Sequence, residues 1–170
     1  MSARGRAGES AREGAREGAR EGAREGAREG AREQAAIVYR DDLSDVQAGH
    51  LRGFFDGWPN PPSAETHLRL LRGSSHVVLA LERDTGRVVG FVNALSDGVL
   101  SAYLPLLEVL PAYRGRGIGT ALVRRMLARL AGLYMVDVVC DPALVGFYAR
   151  LGLRPAAAAS LRDHARQAGR

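Results

Sequence analysis

The chain contains no lysine, a single cysteine and few aromatic residues. Because all 24 basic residues are arginine, a Walker A phosphate loop is excluded, since that loop needs a lysine after its last glycine. Cys140 has no second cysteine with which to form an internal disulfide bond. No apolar run is as long as a transmembrane helix, and none follows the basic N-terminus as a signal peptide requires. We therefore expect no membrane partner and a cytoplasmic location.

The chain carries a formal net charge of +5, which raises the question of nucleic-acid binding. Residues 1–34 hold eight arginines and seven glutamates, so most of the excess lies in the rest of the chain. A ligand with several phosphates accounts for this modest charge as well as DNA does, and no nucleic-acid-binding motif is present. We expect no nucleic-acid partner.

The N-terminus is a short repeat, in which Ala-Arg-Glu-Gly occurs five times from residue 11. Each glutamate–arginine pair favours a helix by only about 0.2–0.5 kcal/mol, whereas each glycine costs roughly 1 kcal/mol relative to alanine. The repeat also has no apolar stripe that could pack on a core. These features predict a disordered low-complexity tail at residues 1–34 and one folded domain at residues 35–170.

The order of apolar runs and capping residues predicts an α/β domain. Strands are predicted at 35–39, 76–82, 88–95, 99–110 and 133–140, with a weaker edge strand at 154–161. Helices are predicted to begin near Ser44, Ser63, Thr120 and Pro142. Short turns make the three strands within 76–110 antiparallel, and the helix before 133–140 allows that strand to lie parallel to 99–110.

The strongest chemical signal is the strand-to-helix turn at residues 114–120. Its glycines stand at alternate positions and leave backbone N–H groups uncovered by Cβ atoms: Gly115, Gly117 and Gly119. The helix that follows adds about half a positive charge at its N-terminus, and Arg114 and Arg116 add full charges. A dinucleotide fingerprint is excluded, because its last glycine would fall on Thr120 or Leu122. The turn therefore predicts a binding site for an anion such as a pyrophosphate.

The pattern Arg114-x-x-Gly117-x-Gly119 resembles the acetyl-CoA loop of the GNAT superfamily of N-acetyltransferases. A second stretch, residues 141–153, resembles the family's Asn-x-x-Ala-x-x-Phe-Tyr-x-x-x-Gly-Phe motif, with Asp141 in place of the usual asparagine, Leu144 in place of alanine and Leu153 in place of phenylalanine. The resemblance covers about residues 35–165. It implies the GNAT fold, a central mixed and mostly antiparallel sheet of six to seven strands flanked by four helices.

The resemblance implies transfer of an acetyl group from acetyl-CoA to a primary amine of an unidentified acceptor, by direct attack in a ternary complex. A non-catalytic acyl-CoA-binding or regulatory module on the same fold is the alternative. Tyr148 matches the tyrosine that acts as general acid for the CoA sulfur, and a tyrosine pKa of about 10 is close enough to that of a thiol to share the proton. The implied cofactor-binding residues are Leu107, Val109, Leu110, Arg114, Gly115, Arg116, Gly117, Ile118, Gly119, Thr120 and Asp141.

For several other candidate residues, the sequence allows both a functional and a structural interpretation. Glu108 lies on the cofactor strand, either as a general base or as a strand carboxylate paired to an arginine. Trp58 and Tyr103 either line the acceptor side or pack in the core, and Asp97 is interpreted as a turn residue. The histidines have no metal-ligand spacing, so no metal is expected, and each is interpreted as solvent-facing or structural: His50, His67, His76 and His164. The expected partner is a small-molecule or peptide amine, and a homodimer is left open.

Overall fold

A mixed sheet of five strands carries the fold. The computed structural model describes residues 37–169, so the predicted tail at 1–34 lies outside the described residues. The strands lie in chain order across the sheet. They are β1 (Ile37–Arg40), β2 (His76–Glu82), β3 (Val88–Ser96), β4 (Ser101–Val109) and β5 (Met135–Asp137). The α-helices of this part are α1 (Ala64–Arg72), α2 (Ile118–Arg129) and α3 (Val145–Ala149).

The pairing of the strands follows the predicted topology. β2 to β4 form an antiparallel meander, in which Gly90 of β3 lies opposite Val109 of β4. β5 returns parallel to β4 after α2. The α/β class and mixed sheet are thus confirmed, but residues 37–169 contain five strands and three α-helices instead of the predicted six to seven strands and four helices.

Helix α2 packs on the centre of the sheet and forms the core with it. The buried face of α2 presents Leu122, Val123 and Met126, which have no exposed surface. At Gly90 of β3 the helix comes so near that a Cβ would lie 3.1 Å from Leu122 Cδ1. Each large apolar side chain buried in this way contributes about 1.5–3 kcal/mol, so this layer fixes α2 firmly behind β3 and β4.

The prediction that a helix begins near Ser44 is wrong. The backbone N–H of Ser44 donates to Asp42 Oδ1 at 3.0 Å, so this residue belongs to a turn instead of capping a helix. Only a short 3-10 helix follows, at Ala48–Leu51. The chain then turns through residues 53–57, where three positive φ angles are incompatible with a continuing helix.

The predicted edge strand at 154–161 is also wrong, because these residues form no regular secondary structure. Pro155 lacks a backbone donor, and the run of alanines at 156–159 has low strand propensity and little apolar surface to bury. β5 is also shorter than the strand predicted at 133–140, because it pairs with β4 over only three residues. None of the helices in residues 37–169 is long and apolar enough to cross a membrane.

Candidate active site

The parallel strands β4 and β5 part near the middle of β4. Pairing with β5 ends at Tyr103, whereas pairing with β3 continues to Val109. The backbone edge of β4 that faces β5 is therefore unpaired over residues 104–109. The Leu110 N–H donates to the Val89 carbonyl at 2.9 Å. Because the bonds of an antiparallel pair alternate along the strand, the N–H and C=O groups of residues 107 and 109 point away from β3, into this gap.

The gap leads into an open cleft of about 440 Å³. Residues of β4, the glycine turn, α2 and α3 line it: Leu107, Val109, Tyr113, Arg114, Gly115, Gly117, Ile118, Gly119, Thr120, Leu144, Phe147 and Tyr148. Gly119 lies where three of these elements meet, because a Cβ there would be 3.8 Å from Val109 Cγ2 and 3.9 Å from Phe147 Cζ. A larger side chain at this position would narrow the cleft.

The glycine turn presents bare backbone donors to the cleft. Gly117 precedes the first residue of α2 with a φ of 79°, a left-handed conformation that glycine adopts without steric cost. No side chain caps this helix end, and the first intrahelical bond runs from the Ala121 N–H to the Gly117 carbonyl. The N–H groups of residues 118–120 therefore have no partner within the helix, which is the arrangement that binds anions.

The two arginines of the turn are tied to neighbouring groups. Arg114 Nε donates to the Val109 carbonyl at 3.0 Å, and Arg114 Nη2 lies 3.6 Å from Asp56 Oδ2. The Arg116 guanidinium lies over the Tyr113 ring, 5.3 Å from its centroid. These contacts fix the turn against β4, so its backbone donors are held in place before a ligand arrives.

Tyr148 of α3 closes the far side of the cleft. It is buried, and its ring packs at 4.9 Å from the Phe147 ring centroid. Burial raises the pKa of Tyr148 to about 12, and the neighbouring Cys140 pushes it in the same direction. The hydroxyl is therefore protonated at neutral pH, so it suits a proton donor and not a base.

The structure brings most of the predicted cofactor residues into one cleft and leaves a few outside it. The Leu110 N–H is bonded to Val89, so of the two predicted thioester donors only that of Val109 points into the gap. Arg116 and Asp141 do not line the cleft. Sequence reasoning missed Tyr113, Leu144 and Phe147; of these, Phe147 was signalled by its place beside Tyr148 in the second motif.

The opposite face of β4 carries a different set of groups. Glu108 accepts hydrogen bonds from the backbone of the segment before α1, not from an arginine side chain in residues 37–169. His67 of α1 is buried among aromatic rings, 4.5 Å from the Phe91 centroid, and burial lowers the pKa of His67 to about 4. Across residues 37–169, no three of the side chains that commonly ligate metals are grouped to hold an ion.

Comparison with known proteins decides the family. The family model described as Acetyltransferase (GNAT) matches residues 43–153, about two thirds of the chain and the whole cleft. The chain belongs to the GNAT acetyltransferase family. Named GNAT proteins resemble it in sequence, and solved GNAT structures resemble it in fold.

Among named GNAT relatives, glucosamine 6-phosphate N-acetyltransferase 1 of Oryza sativa is 33% identical over 135 residues, which span 65% of this chain and 76% of the relative. Serotonin N-acetyltransferase 2 of the same plant is 31% identical over 118 residues, 66% of this chain and 59% of the relative. A crystal structure of a Deinococcus radiodurans R1 protein described as an acetyltransferase is 51% identical, with a TM-score of 0.77 over 79% of this chain and 93% of that one. The chain is thus a GNAT acetyltransferase.

Proposed function

We propose that this acetyltransferase transfers the acetyl group of acetyl-CoA directly to a primary amine while both substrates are bound. The observation that carries the proposal is the cleft beside the open edge of β4, which brings the glycine turn and Tyr148 to one place. Acetyl-CoA supplies an activated thioester. The chain supplies binding, orientation and a proton.

The cleft offers complementary groups for each part of the cofactor. The N–H groups of residues 118–120 and the turn at 114–117 suit the pyrophosphate, because unpaired donors and the helix dipole favour negative charge. The backbone N–H and C=O groups of Leu107, which no strand pairs with, suit the amides of the pantetheine arm, which add to an open strand edge as another strand would. The Val109 carbonyl is bonded to Arg114, and the Val109 N–H would stabilise the negative charge that develops on the thioester oxygen.

Direct transfer requires two proton movements. The neutral amine nitrogen attacks the thioester carbonyl, the new C–N bond forms and the C–S bond breaks. The nitrogen loses its extra proton to solvent water, and the departing CoA thiolate gains a proton. Tyr148 is the proposed donor to the thiolate, because it lines the cleft and its phenol, with a pKa of about 12, is protonated at the pH of the reaction. Deprotonated Tyr148 then recovers its proton from solvent.

The proposed acceptor is a small-molecule or peptide primary amine. Two relatives are named for small primary amines, glucosamine 6-phosphate and serotonin. Trp58 is partly exposed and meets the buried Phe55 ring edge to face, 5.1 Å between centroids, so it offers an aromatic surface to an acceptor with an apolar body.

The function is tested by following free thiol released from acetyl-CoA with a panel of amino sugars, arylalkylamines, polyamines and peptide N-termini. We expect amine-dependent thiol release with at least one class and saturation by both substrates. A protein that binds CoA saturably but releases no thiol with any amine would support the non-catalytic alternative instead.

A further inference from the structure

Backbone N–H groups of two consecutive residues bind the carboxylate of Glu108. Its two oxygens accept from the Phe55 N–H at 2.9 and 2.8 Å, and Oε1 also accepts from the Asp56 N–H at 3.2 Å. Hydrogen bonds to an ionised acceptor are about twice as strong as neutral ones. Glu108 therefore joins β4 to a segment more than fifty residues earlier in the chain.

The segment that Glu108 holds has an unfavourable backbone conformation. Phe55 has a φ of 64°, and the glycines on either side of it, Gly53 and Gly57, also have positive φ angles of 89° and 79°. A left-handed conformation costs a residue with a side chain about 1–2 kcal/mol. Such a turn persists only where neighbouring groups fix it, and the carboxylate of Glu108 supplies the acceptors for both of its inner N–H groups.

This turn connects the cofactor side of β4 to an aromatic wall. The buried Phe55 ring lies 5.1 Å from Trp58 and 4.9 Å from His67, between ring centroids. The next residue, Asp56, faces Arg114, which itself binds the Val109 carbonyl. A displacement of the turn would therefore move the aromatic wall and loosen one restraint on the glycine turn.

The two faces of β4 are used differently. Val109 faces α2, as its contact with the position of Gly119 shows, so the preceding side chain of Glu108 faces the opposite side of the sheet. The glycine turn, α2 and α3 enclose the cofactor cleft on the first face. The turn at 53–57 lies on the other face of β4, which the cofactor cleft leaves uncovered.

We propose that Glu108 is a positioning residue for the acceptor amine: it holds the turn at 53–57 so that the aromatic wall of Phe55 and Trp58 is in place beside the reacting carbonyl. The inference rests on the proposed acetyl transfer to an amine. This proposal differs from the general-base interpretation. A positioning role requires the carboxylate to accept hydrogen bonds from two backbone N–H groups, whereas a general base must take a proton from the amine.

The first test needs no activity. In Glu108→Gln, one acceptor oxygen becomes an amide NH₂ that faces the N–H donors, so hydrogen exchange of the Phe55 and Asp56 amides should become at least about tenfold faster than in the wild type, as expected for loss of roughly 1.4 kcal/mol. Glu108→Asp keeps the carboxylate but moves it away from the turn by one methylene, so the same two amides should also exchange faster in this variant. Unchanged exchange at both amides in both variants overturns the proposal, whatever the enzyme does.

The second test uses the screened amine with the highest turnover. We expect Glu108→Gln to raise the KM for that amine about tenfold while kcat falls less than about threefold, and the pH profile of kcat to keep its shape. A loss of kcat of about 100-fold or more with the acid limb of the profile removed identifies a general base and overturns the proposal. If the wild type acetylates no amine, the proposed function itself fails, and the exchange measurement still decides the role of the carboxylate.

Asp97→Asn is the matched control. Asp97 stands at the opposite end of β4 and also binds backbone donors, accepting from the N–H groups of Val99, Leu100 and Ser101 at 2.9, 2.8 and 3.0 Å. The Asp97→Asn substitution should loosen the β3–β4 hairpin and lower the melting temperature of the protein without changing the KM for the amine. An equal rise in KM in this variant would mean that any loosening of the sheet suffices, and the specific role of Glu108 would be lost.

Discussion

At the scale of single residues, the environment of a side chain decides its chemistry. Tyr148 and Tyr134 are the same residue type on neighbouring segments, but Tyr134 is 81% exposed and Tyr148 only 6%. Burial raises the pKa of Tyr148 to about 12, so the phenol beside the cleft stays protonated and is a weaker acid than a tyrosine in water. The sequence marked Tyr148 by its motif, but its pKa follows from a burial that only the tertiary structure creates.

We expect Tyr148→Phe to lower kcat about 100-fold, the lower end of the usual range for loss of a general acid. The dissociation constant for acetyl-CoA should change less than about threefold, because the ring is kept and only the hydroxyl is removed. Steady-state thiol release and equilibrium CoA binding measure the two quantities. Tyr134→Phe is the control and should match the wild type; unchanged turnover in Tyr148→Phe would reject the role.

His67 makes a second residue-scale prediction, for stability in acid. Its pKa is lowered from 6.5 to about 4 by burial, partly offset by the Leu51 backbone, so below pH 6.5 the unfolded chain takes up a proton that the folded protein does not. Stability due to this group is present above pH 6.5 and is lost as the pH falls towards 4, by up to about 3 kcal/mol.

The measurement is the free energy of unfolding of wild type and His67→Leu at intervals between pH 7 and pH 4. We expect a smaller loss of stability in the variant across this range, because it has no imidazole to protonate on unfolding. The comparison at pH 7, where the wild-type ring is neutral, corrects for altered packing against Phe54, Phe55 and Phe91. Equal acid slopes in both proteins would show that another group dominates.

At the scale of elements, α2 is the link between sequence and site. Its apolar spacing predicted the buried face, and its glycine-rich start predicted a helix end without a side-chain cap, which suits an anion. The stretch that begins near Ser44 has similar local signals, but the prediction of a helix there is wrong. A competing bond to Asp42 and the left-handed turn at 53–57 prevented it, and that turn depends on Glu108. Local patterns cannot reveal such a distant partner.

The two ends of α2 offer a matched pair of substitutions. Gly117 and Gly132 both have positive φ angles, 79° and 102°, and neither has an atom within 4 Å of an added Cβ. Alanine at either position should therefore cost about 1–2 kcal/mol of stability through backbone strain alone. Only Gly117→Ala should weaken acetyl-CoA binding, because only this end faces the cleft.

The affinity for acetyl-CoA, measured by calorimetry, should fall about tenfold or more in Gly117→Ala, as expected when donors to an anion are displaced by roughly 1.4 kcal/mol or more. In Gly132→Ala it should stay within about twofold of the wild type. Equal affinities in the two variants would argue against an anion-binding role for the start of α2.

At the scale of the whole molecule, the chain divides between a repeat of low complexity and an enzyme domain. The family match begins at residue 43, and the residues that line the cleft begin at Leu107. Residues from Val38 onward form one compact unit. The repeat has arginine and glutamate in nearly equal number, so it adds little net charge to attract an anionic partner.

We therefore expect a chain that lacks residues 1–34 to retain kcat/KM within about twofold of the full chain in the thiol-release assay. The same pair of proteins tests the nucleic-acid interpretation by measuring DNA affinity at two salt concentrations. A steep salt dependence that disappears with the repeat would contradict our expectation and would assign the repeat a binding role.

The sequence by itself determined the α/β class, the order of the meander, the buried face of α2 and the glycine turn that precedes this helix. These features follow from local periodicity and from the special conformations of glycine, which each short stretch carries within it. Only the tertiary structure decided where β4 and β5 part, which backbone groups of β4 stay unpaired, that Tyr148 is buried, and that Glu108 holds the turn at Phe55. Each of these depends on contacts between residues far apart in the chain, so no local pattern could determine them.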